Sequence, residues 1–206
     1  QPHRGDLIVD PNIRLPLELK QYSQSIETGQ DLIGGSEHLI IRHSMKGCRD
    51  IAIKRINLSG CIQNVLVMFG GSDLPNFSKI AVEGCLKVKR IHVHVVLGFN
   101  NPNRTEITNL YDENDRVTIH PFMKEPGHVM AICDFCIGAL GTITWERCYL
   151  GIPSLIYTEQ PSQKEFIKYL DELNIVADIG PDYSPESVAL FLDQVINAKA
   201  EHIKLR

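Results

Sequence analysis

The chain has 206 residues, 43% of them hydrophobic and 22% charged, with a formal net charge of −4. That balance suits a globular core and argues against disorder or a fibre, while the charge offers no global attraction to nucleic acid or to an anionic membrane. No apolar run reaches the roughly 18–20 residues of a membrane span, so neither a membrane span nor a nucleic-acid partner is expected.

In chain order, residues 1–60 read as a connector or as the tail of an upstream domain. Leu7-Ile8-Val9-Asp10-Pro11 is strand-like, residues 11–35 are mixed and turn-rich, His38–Arg42 reads as a short strand, and the basic run Lys46–Arg55 reads as a solvated face. From residue 61 to 206 the pattern alternates. Val65–Phe69 is an apolar run of strand length, Pro75–Lys89 has helical spacing, and Ile91–Leu97 is a β-branched second strand. A short helix over Asn103–Tyr111 precedes a third strand at Val117–Ile119. A helix over Glu125–Ile132 precedes a fourth strand at Asp134–Ile137. Thr144–Leu150 is a helix stopped by Gly151-Ile152-Pro153. Ser154–Tyr157 is a fifth strand, Ser162–Leu173 a helix, Ile175–Ala177 a sixth strand, and Ser184–Lys199 a closing amphipathic helix. Strands alternating with helices predict an α/β, Rossmann-like parallel sheet with helices on both faces. In the common order 3-2-1-4-5-6 the first and fourth strands are neighbours at the topological switch point, where ligands bind.

Each of those two strands ends in a glycine turn. The first is Gly70-Gly71-Ser72-Asp73. The second, Gly138-Ala139-Leu140-Gly141, runs into Thr142-Ile143-Thr144-Trp145-Glu146. Small residues let the backbone approach an anion, and a helix start offers unpaired N–H groups at a positive dipole end. Glu146 falls about one helical turn inside, where a carboxylate could accept hydrogen bonds from ribose hydroxyls. The converging turns predict a nucleotide bound between them. The plainer alternatives are an ordinary strand–helix turn with a surface glutamate at Glu146, and an Asp73 that caps the following helix, which is compatible with ligand contact.

Other residue types read as structural. The six cysteines (Cys48, Cys61, Cys85, Cys133, Cys136, Cys148) lie mostly in apolar segments and read as reduced thiols, which points to the cytoplasm. Cys133 and Cys136 form a CxxC, yet on a strand they face opposite ways and cannot easily share a metal or a disulfide. His92 and His94 share a strand face and read as satisfied structural histidines rather than ligands. Trp145 reads as a core or domain-interface residue, and His120 stands at the productive end of its strand.

Val65–Asp73 (VLVMFGGSD) and Cys136–Ser154 (CIGALGTITWERCYLGIPS) resemble the C-terminal half of the UDP-sugar hydrolase family of pseudaminic acid biosynthesis. The resemblance covers roughly residues 60–180. It implies the GT-B architecture, two Rossmann-like domains with the nucleotide sugar in the cleft between them. It implies that Gly141, Thr142 and Ile143 hold the diphosphate, that Glu146 holds the ribose, and that Phe122 and Met123 pack against uracil. It further implies that Gly70, Gly71, Ser72 and Asp73 face the sugar and phosphates, and that Gln163, within Ser162-Gln163, continues the site. Leu140 stands where the family usually has glycine, and Ile143 where a small polar residue is common. The family's general-base histidine belongs to an N-terminal domain, expected here as a partner. No histidine of this chain sits in a matching motif, so no catalytic residue is assigned. No metal or other cofactor is implied, because the helix start neutralises the diphosphate.

Three functions follow as expectations. The first is a UDP-sugar hydrolase releasing UDP from a diacetamido-trideoxy sugar, the second a glycosyltransferase donor domain, and the third a non-catalytic nucleotide-sugar-binding subunit. A nicotinamide dehydrogenase fits less well, because Gly70-Gly71-Ser72 lacks the G-x-G-x-x-G spacing and no acid ends the second strand.

Overall fold

A computed structural model describes residues 6–10, 31–35, 38–58 and 62–197. The turn-rich reading of residues 11–30, the state of Cys61 and the last two residues of the closing helix lie outside the described residues. The chain divides into two compact units, Gln1–Arg42 and His43–Arg206. In the first, strands β1 (Leu7–Asp10) and β2 (Asp31–Gly34) pair in parallel, Leu7 opposite Asp31 and Asp10 opposite Gly34. Residues 38–42, expected as a strand, are not one. The extended partner of β1 is Asp31–Gly34, after which Gly35 turns the chain with a φ of 107° and donates its N–H to the Asp10 carbonyl.

The second unit opens with helix α1 (Ser44–Leu58), in a stretch expected to be connector. Met45, Cys48 and Ala52 fall at i, i+3 and i+7 and are all buried, while Lys46, Arg49 and Lys54 face water. The solvated-face reading of Lys46–Arg55 therefore needs one correction. Arg55 is half-buried and pairs with Asp134 at 3.5 Å. The same carboxylate accepts the N–H groups of Gln63 at 3.0 Å and Asn64 at 2.8 Å, tying the entry of one strand to the entry of another.

Beyond α1 the elements alternate as expected. They are β3 (Asn64–Met68), α2 (Phe77–Lys87), β4 (His92–Val96), α3 (Arg104–Tyr111), β5 (Val117–His120), α4 (Gly127–Ile132), β6 (Phe135–Gly138), α5 (Thr142–Tyr149), β7 (Ser154–Ile156), α6 (Pro161–Glu172), β8 (Ala177–Asp178) and α7 (Pro185–Asn197). The six strands β3–β8 form one parallel sheet in the order β5-β4-β3-β6-β7-β8. This is the doubly wound order, with β3 and β6 at the switch point. Val65, Val67, Val93, Val95 and Val117 point to one face and pack with Ala81, Val82 and Cys85 of α2, Ile107 of α3 and Val188 and Leu192 of α7. Alternation sends Leu66 to the other face, where α4 packs on β3 and α1 packs on α4.

On that second face β4 and β5 carry polar side chains. His94 Nε2 donates to Asn64 Oδ1 at 3.4 Å, and its Nδ1 accepts from His120 Nε2 at 3.0 Å. His92 Nε2 lies 2.8 Å from Thr118 Oγ1. The ladder is thus satisfied internally, as the structural reading of His92 and His94 expects. Burial, reinforced by His92 and His120, holds the His94 imidazole down at about 4, and burial also lowers His120. An unfolded histidine titrates near 6.5, so the unfolded chain takes up protons that the folded ladder refuses. This contribution is complete above about pH 6.5 and is lost as pH falls toward 4. We expect it to amount to about 1 kcal/mol, after allowance for solvent screening of a half-buried ring. Urea denaturation across that range should show stability falling with pH, and His94→Gln should flatten the fall. An unchanged slope in that variant would assign the effect to other groups.

Candidate functional site

The register of the switch-point strands places the two glycine turns side by side. Met68 pairs with Gly138, so β3 and β6 end level with each other. Gly138 has to be glycine. A Cβ there would collide with the Met68 carbonyl oxygen and stand 2.7 Å from an Arg147 guanidinium nitrogen.

The first turn is built by its own residues. Gly70 has a φ of 81°, a conformation glycine adopts without penalty. Asp73 is buried, and its carboxylate accepts the N–H groups of Phe77 and Ser78, both at 2.9 Å, capping α2. That cap explains why the helix starts at Phe77 rather than at Pro75. Burial raises the Asp73 carboxyl, and the bonds from Ser78 and Phe77 act against the rise. Asn103 donates to the Asp73 carbonyl at 2.9 Å, and Arg104 donates to the carbonyls of Leu97 and Gly98 at 2.8 and 2.9 Å. The loops after β3 and β4 are therefore held together, and Gly98 lies so close that a Cβ would collide with the backbone of Gly70 and Gly71.

The second turn leads straight into α5. Gly141 N–H donates to Thr144 Oγ1 at 3.2 Å, and the Thr144 N–H returns to the Gly141 carbonyl at 2.9 Å. Gly141 and Thr142 are exposed, Ile143 is half-buried, and a Cβ on Gly141 would meet nothing within 4 Å. Beneath the turn lies Arg147, with no exposed surface. Its Nη2 donates to the Ala139 carbonyl at 3.0 Å and to Thr144 Oγ1 at 2.8 Å, and its Nη1 donates to Cys136 Sγ at 3.4 Å.

A pocket of about 390 Å³ opens between the turns. Phe69, Phe77 and Tyr157 supply its aromatic wall, and Ser72, Asp73, Leu140, Thr158, Glu159 and Gln163 are among the residues that line the rest. The wall is stiff. Tyr157 stacks on Tyr183 at 4.2 Å and meets the Phe77 ring edge-on at 4.9 Å. The Thr158 hydroxyl donates to Gln163 Oε1 at 2.8 Å and anchors that amide at the pocket wall. Leu140 lines this space.

The expected site residues separate into three groups. Ser72, Asp73 and Gln163 line the pocket, and Gly70 and Gly71 form the backbone of its first turn. Gly141, Thr142 and Ile143 stand at the start of α5, next to the lining residue Leu140. Phe122 and Met123 lie at the carboxyl end of β5, two strands from β3 and so roughly 10 Å away across the sheet. Glu146 is 1% exposed and does not line the pocket. Trp145 is buried against Phe166, as a core residue. Sequence reasoning missed Phe99, which is 73% exposed and meets the Phe122 ring edge-on at 5.4 Å. Its signal was positional, an aromatic just after Gly98 at a strand's carboxyl end. The buried cation Arg147 was missed as well.

No family model matches the chain. An uncharacterized protein of Methanocaldococcus jannaschii is 25% identical over 175 residues, which is 82% of this chain and 36% of that protein. The chain thus spans little more than a third of that relative's length. Among solved structures, Acinetobacter baumannii MurG superposes with a TM-score of 0.62 at 13% identity, over 94% of this chain and 58% of that one. Anabaena HepE, solved in complex with UDP and glucose, gives 0.55 at 13% identity, over 95% and 55%. WaaG, a glycosyltransferase of lipopolysaccharide biosynthesis, gives 0.54 at 15% identity, over 97% and 69%. The chain thus shares the parallel-sheet α/β fold of these GT-B-type structures. Among the described residues no helix is long and apolar enough to cross a membrane.

The close approach of Gly98 to the first turn is open to test. Gly98→Ala should force backbone against backbone and lower stability by about 2 kcal/mol or more, read by urea denaturation. A stability within about 0.5 kcal/mol of the parent would show that the two loops separate freely.

Proposed function

We propose that residues 61–206 are the UDP-sugar-binding domain of a GT-B-type enzyme, and that its partner in catalysis is an N-terminal domain of the same architecture. The observation that carries this reading is the pocket between two glycine turns at the switch point, with a helix start on one side and an exposed aromatic pair on the adjoining rim. The N–H groups of Thr142 and Ile143 at the start of α5 would hold the diphosphate. Phe122, backed by Phe99, would stack on the uracil with Met123 beside it. Ser72, Gln163 and the aromatic wall would receive the sugar. Asp73 would shape the first turn, since its carboxylate already caps α2. A ribose contact at Glu146, as the resemblance implies, requires its buried carboxylate to be uncovered.

In the hydrolase reading, favoured by the likeness of Cys136–Ser154 to that family, water attacks the anomeric carbon. The bond from that carbon to the glycosidic oxygen breaks, and UDP leaves with the oxygen and the bonding electrons. The helix start stabilises the charge that develops on the leaving diphosphate, and the base that takes the water's proton comes from the partner domain. A diacetamido-trideoxy sugar is the substrate this family likeness suggests. The glycosyltransferase reading is supported by the structural likeness to WaaG and differs only in the acceptor, a sugar in place of water.

Calorimetric titration with UDP, CMP and ADP at one ionic strength tests the common part. UDP should bind in preference to the other two, and Phe122→Ala should weaken UDP by about 1–3 kcal/mol through lost stacking. Equal binding of all three nucleotides, or none, would contradict the donor-site reading. Adding an N-terminal partner domain and following UDP release with and without a sugar acceptor separates hydrolase from transferase.

A further inference from the structure

Arg147 is an unusual residue to bury. It projects from the last turn of α5, yet its head reaches back beneath the turn that precedes that helix. There it adds a full positive charge beside the positive end of the helix dipole. Among the described residues no ion pair involves it, and its Nε is buried without a hydrogen-bond partner. Cys136, which accepts from Nη1, supplies no countercharge, because burial pushes its thiol up in spite of Arg147. The neighbouring Glu146 points roughly 100° away around the helix. A buried cation left without an anion is strongly destabilising, and this one is bonded to the Ala139 carbonyl and the Thr144 hydroxyl, on either side of the exposed residues Gly141 and Thr142.

Besides the Nη1 bond to Cys136 on β6, Arg147 binds the turn and the first turn of α5. Through Nη2 it holds the Ala139 carbonyl on one side and the Thr144 hydroxyl on the other, and that hydroxyl also accepts the Gly141 N–H. The backbone from Ala139 to Gly141 is thereby fixed from below. With Gly141 N–H satisfied internally, the N–H groups of Thr142 and Ile143 follow as the helix-start donors. The missing Cβ of Gly138 supplies the room in which the guanidinium sits.

We propose that Arg147 is the positioning cation of the diphosphate site: it sets the turn from beneath, and the bound diphosphate supplies the negative charge that the described residues do not. This rests on the donor-site reading above and adds that selectivity for a doubly phosphorylated ligand is set by a residue that never touches it. Arg147→Lys keeps the charge but loses the planar fork that reaches two acceptors. Thr144→Val removes the hydroxyl that relays the guanidinium to Gly141 while nearly preserving shape.

The test is the affinity of the full chain for UDP and for uridine, with folding of each variant checked by circular dichroism. Arg147→Lys should weaken UDP about tenfold to a hundredfold, and Thr144→Val about fivefold, as expected for hydrogen bonds with and without charge. Uridine affinity should stay within about twofold in both, because its uracil contacts lie on the β4–β5 rim and neither substitution alters Glu146, the residue proposed for its ribose. Thr144→Val decides the matter alone if Arg147→Lys does not fold. Parent-like UDP affinity in the folded variants would overturn the proposal. So would equal losses for UDP and uridine, which would mark a general structural role. Failure of the unsubstituted chain to bind UDP would instead overturn the donor-site reading, and this proposal with it.

Discussion

The carboxyl edge of this domain depends on one pairing, Met68 opposite Gly138 across the switch-point strands. A shift of one residue would turn every side chain of β6 to the other face and separate the two glycine turns. The pairing is held from several directions. The Ala139 N–H reaches the Met68 carbonyl at 3.4 Å, the Tyr157 N–H reaches the Gly138 carbonyl at 3.1 Å, and Arg147 fills the space that the absent Cβ leaves. At the opposite edge, Asp134 binds the N–H groups of Gln63 and Asn64 and sets the same register from the start of the strands. Two short parallel strands are thus pinned at both ends, and the turns they deliver are positioned by the sheet rather than by loop flexibility.

The two edges differ in how their polar groups are met. On the amino edge the Asp134 carboxylate is closed by backbone donors and by Arg55. On the carboxyl edge the start of α5 is exposed, the pocket wall is aromatic, and Leu74, Phe99 and Phe122 are 74%, 73% and 51% exposed. Exposed apolar side chains around a concave polar site mark a surface that binds something. Under the proposed function this edge would face the nucleotide sugar and a second domain, and catalysis is proposed for that partner and not for the histidine ladder. That ladder faces a half-buried side of the sheet and is satisfied by its own members.

Much of the sheet was legible in the sequence because local and global signals agree. The β-branched run from Ile91 and the apolar run from Val65 are strands by composition, the intervening stretches have helical spacing, and glycine turns end the two strands that meet at the switch point. Helix α1 was not legible as such. Among its described side chains the buried stripe is Met45, Cys48 and Ala52, and Gly47 together with the β-branched Ile51 and Ile53 weakens its propensity. Arg55 looked solvated because Asp134 is distant in sequence. Arg147 was hidden for a similar reason. An arginine on an amphipathic helix normally faces water, and only the room beside Gly138 admits it to the interior. The glycine turns were recognised from local pattern, whereas the Phe99–Phe122 pair required knowing that β4 and β5 are neighbours.

In the proposed reading the two turns form one anion-binding site for a nucleoside diphosphate. Amide resonances followed by two-dimensional NMR during titration with UDP test it most directly. Saturable shifts are expected on the backbone N–H groups of Ser72, Leu140, Thr142 and Ile143, with a second set at Phe99 and Phe122. Saturable shifts confined to other parts of the sheet, such as the amino edge around Gln63 and Asn64, would contradict it.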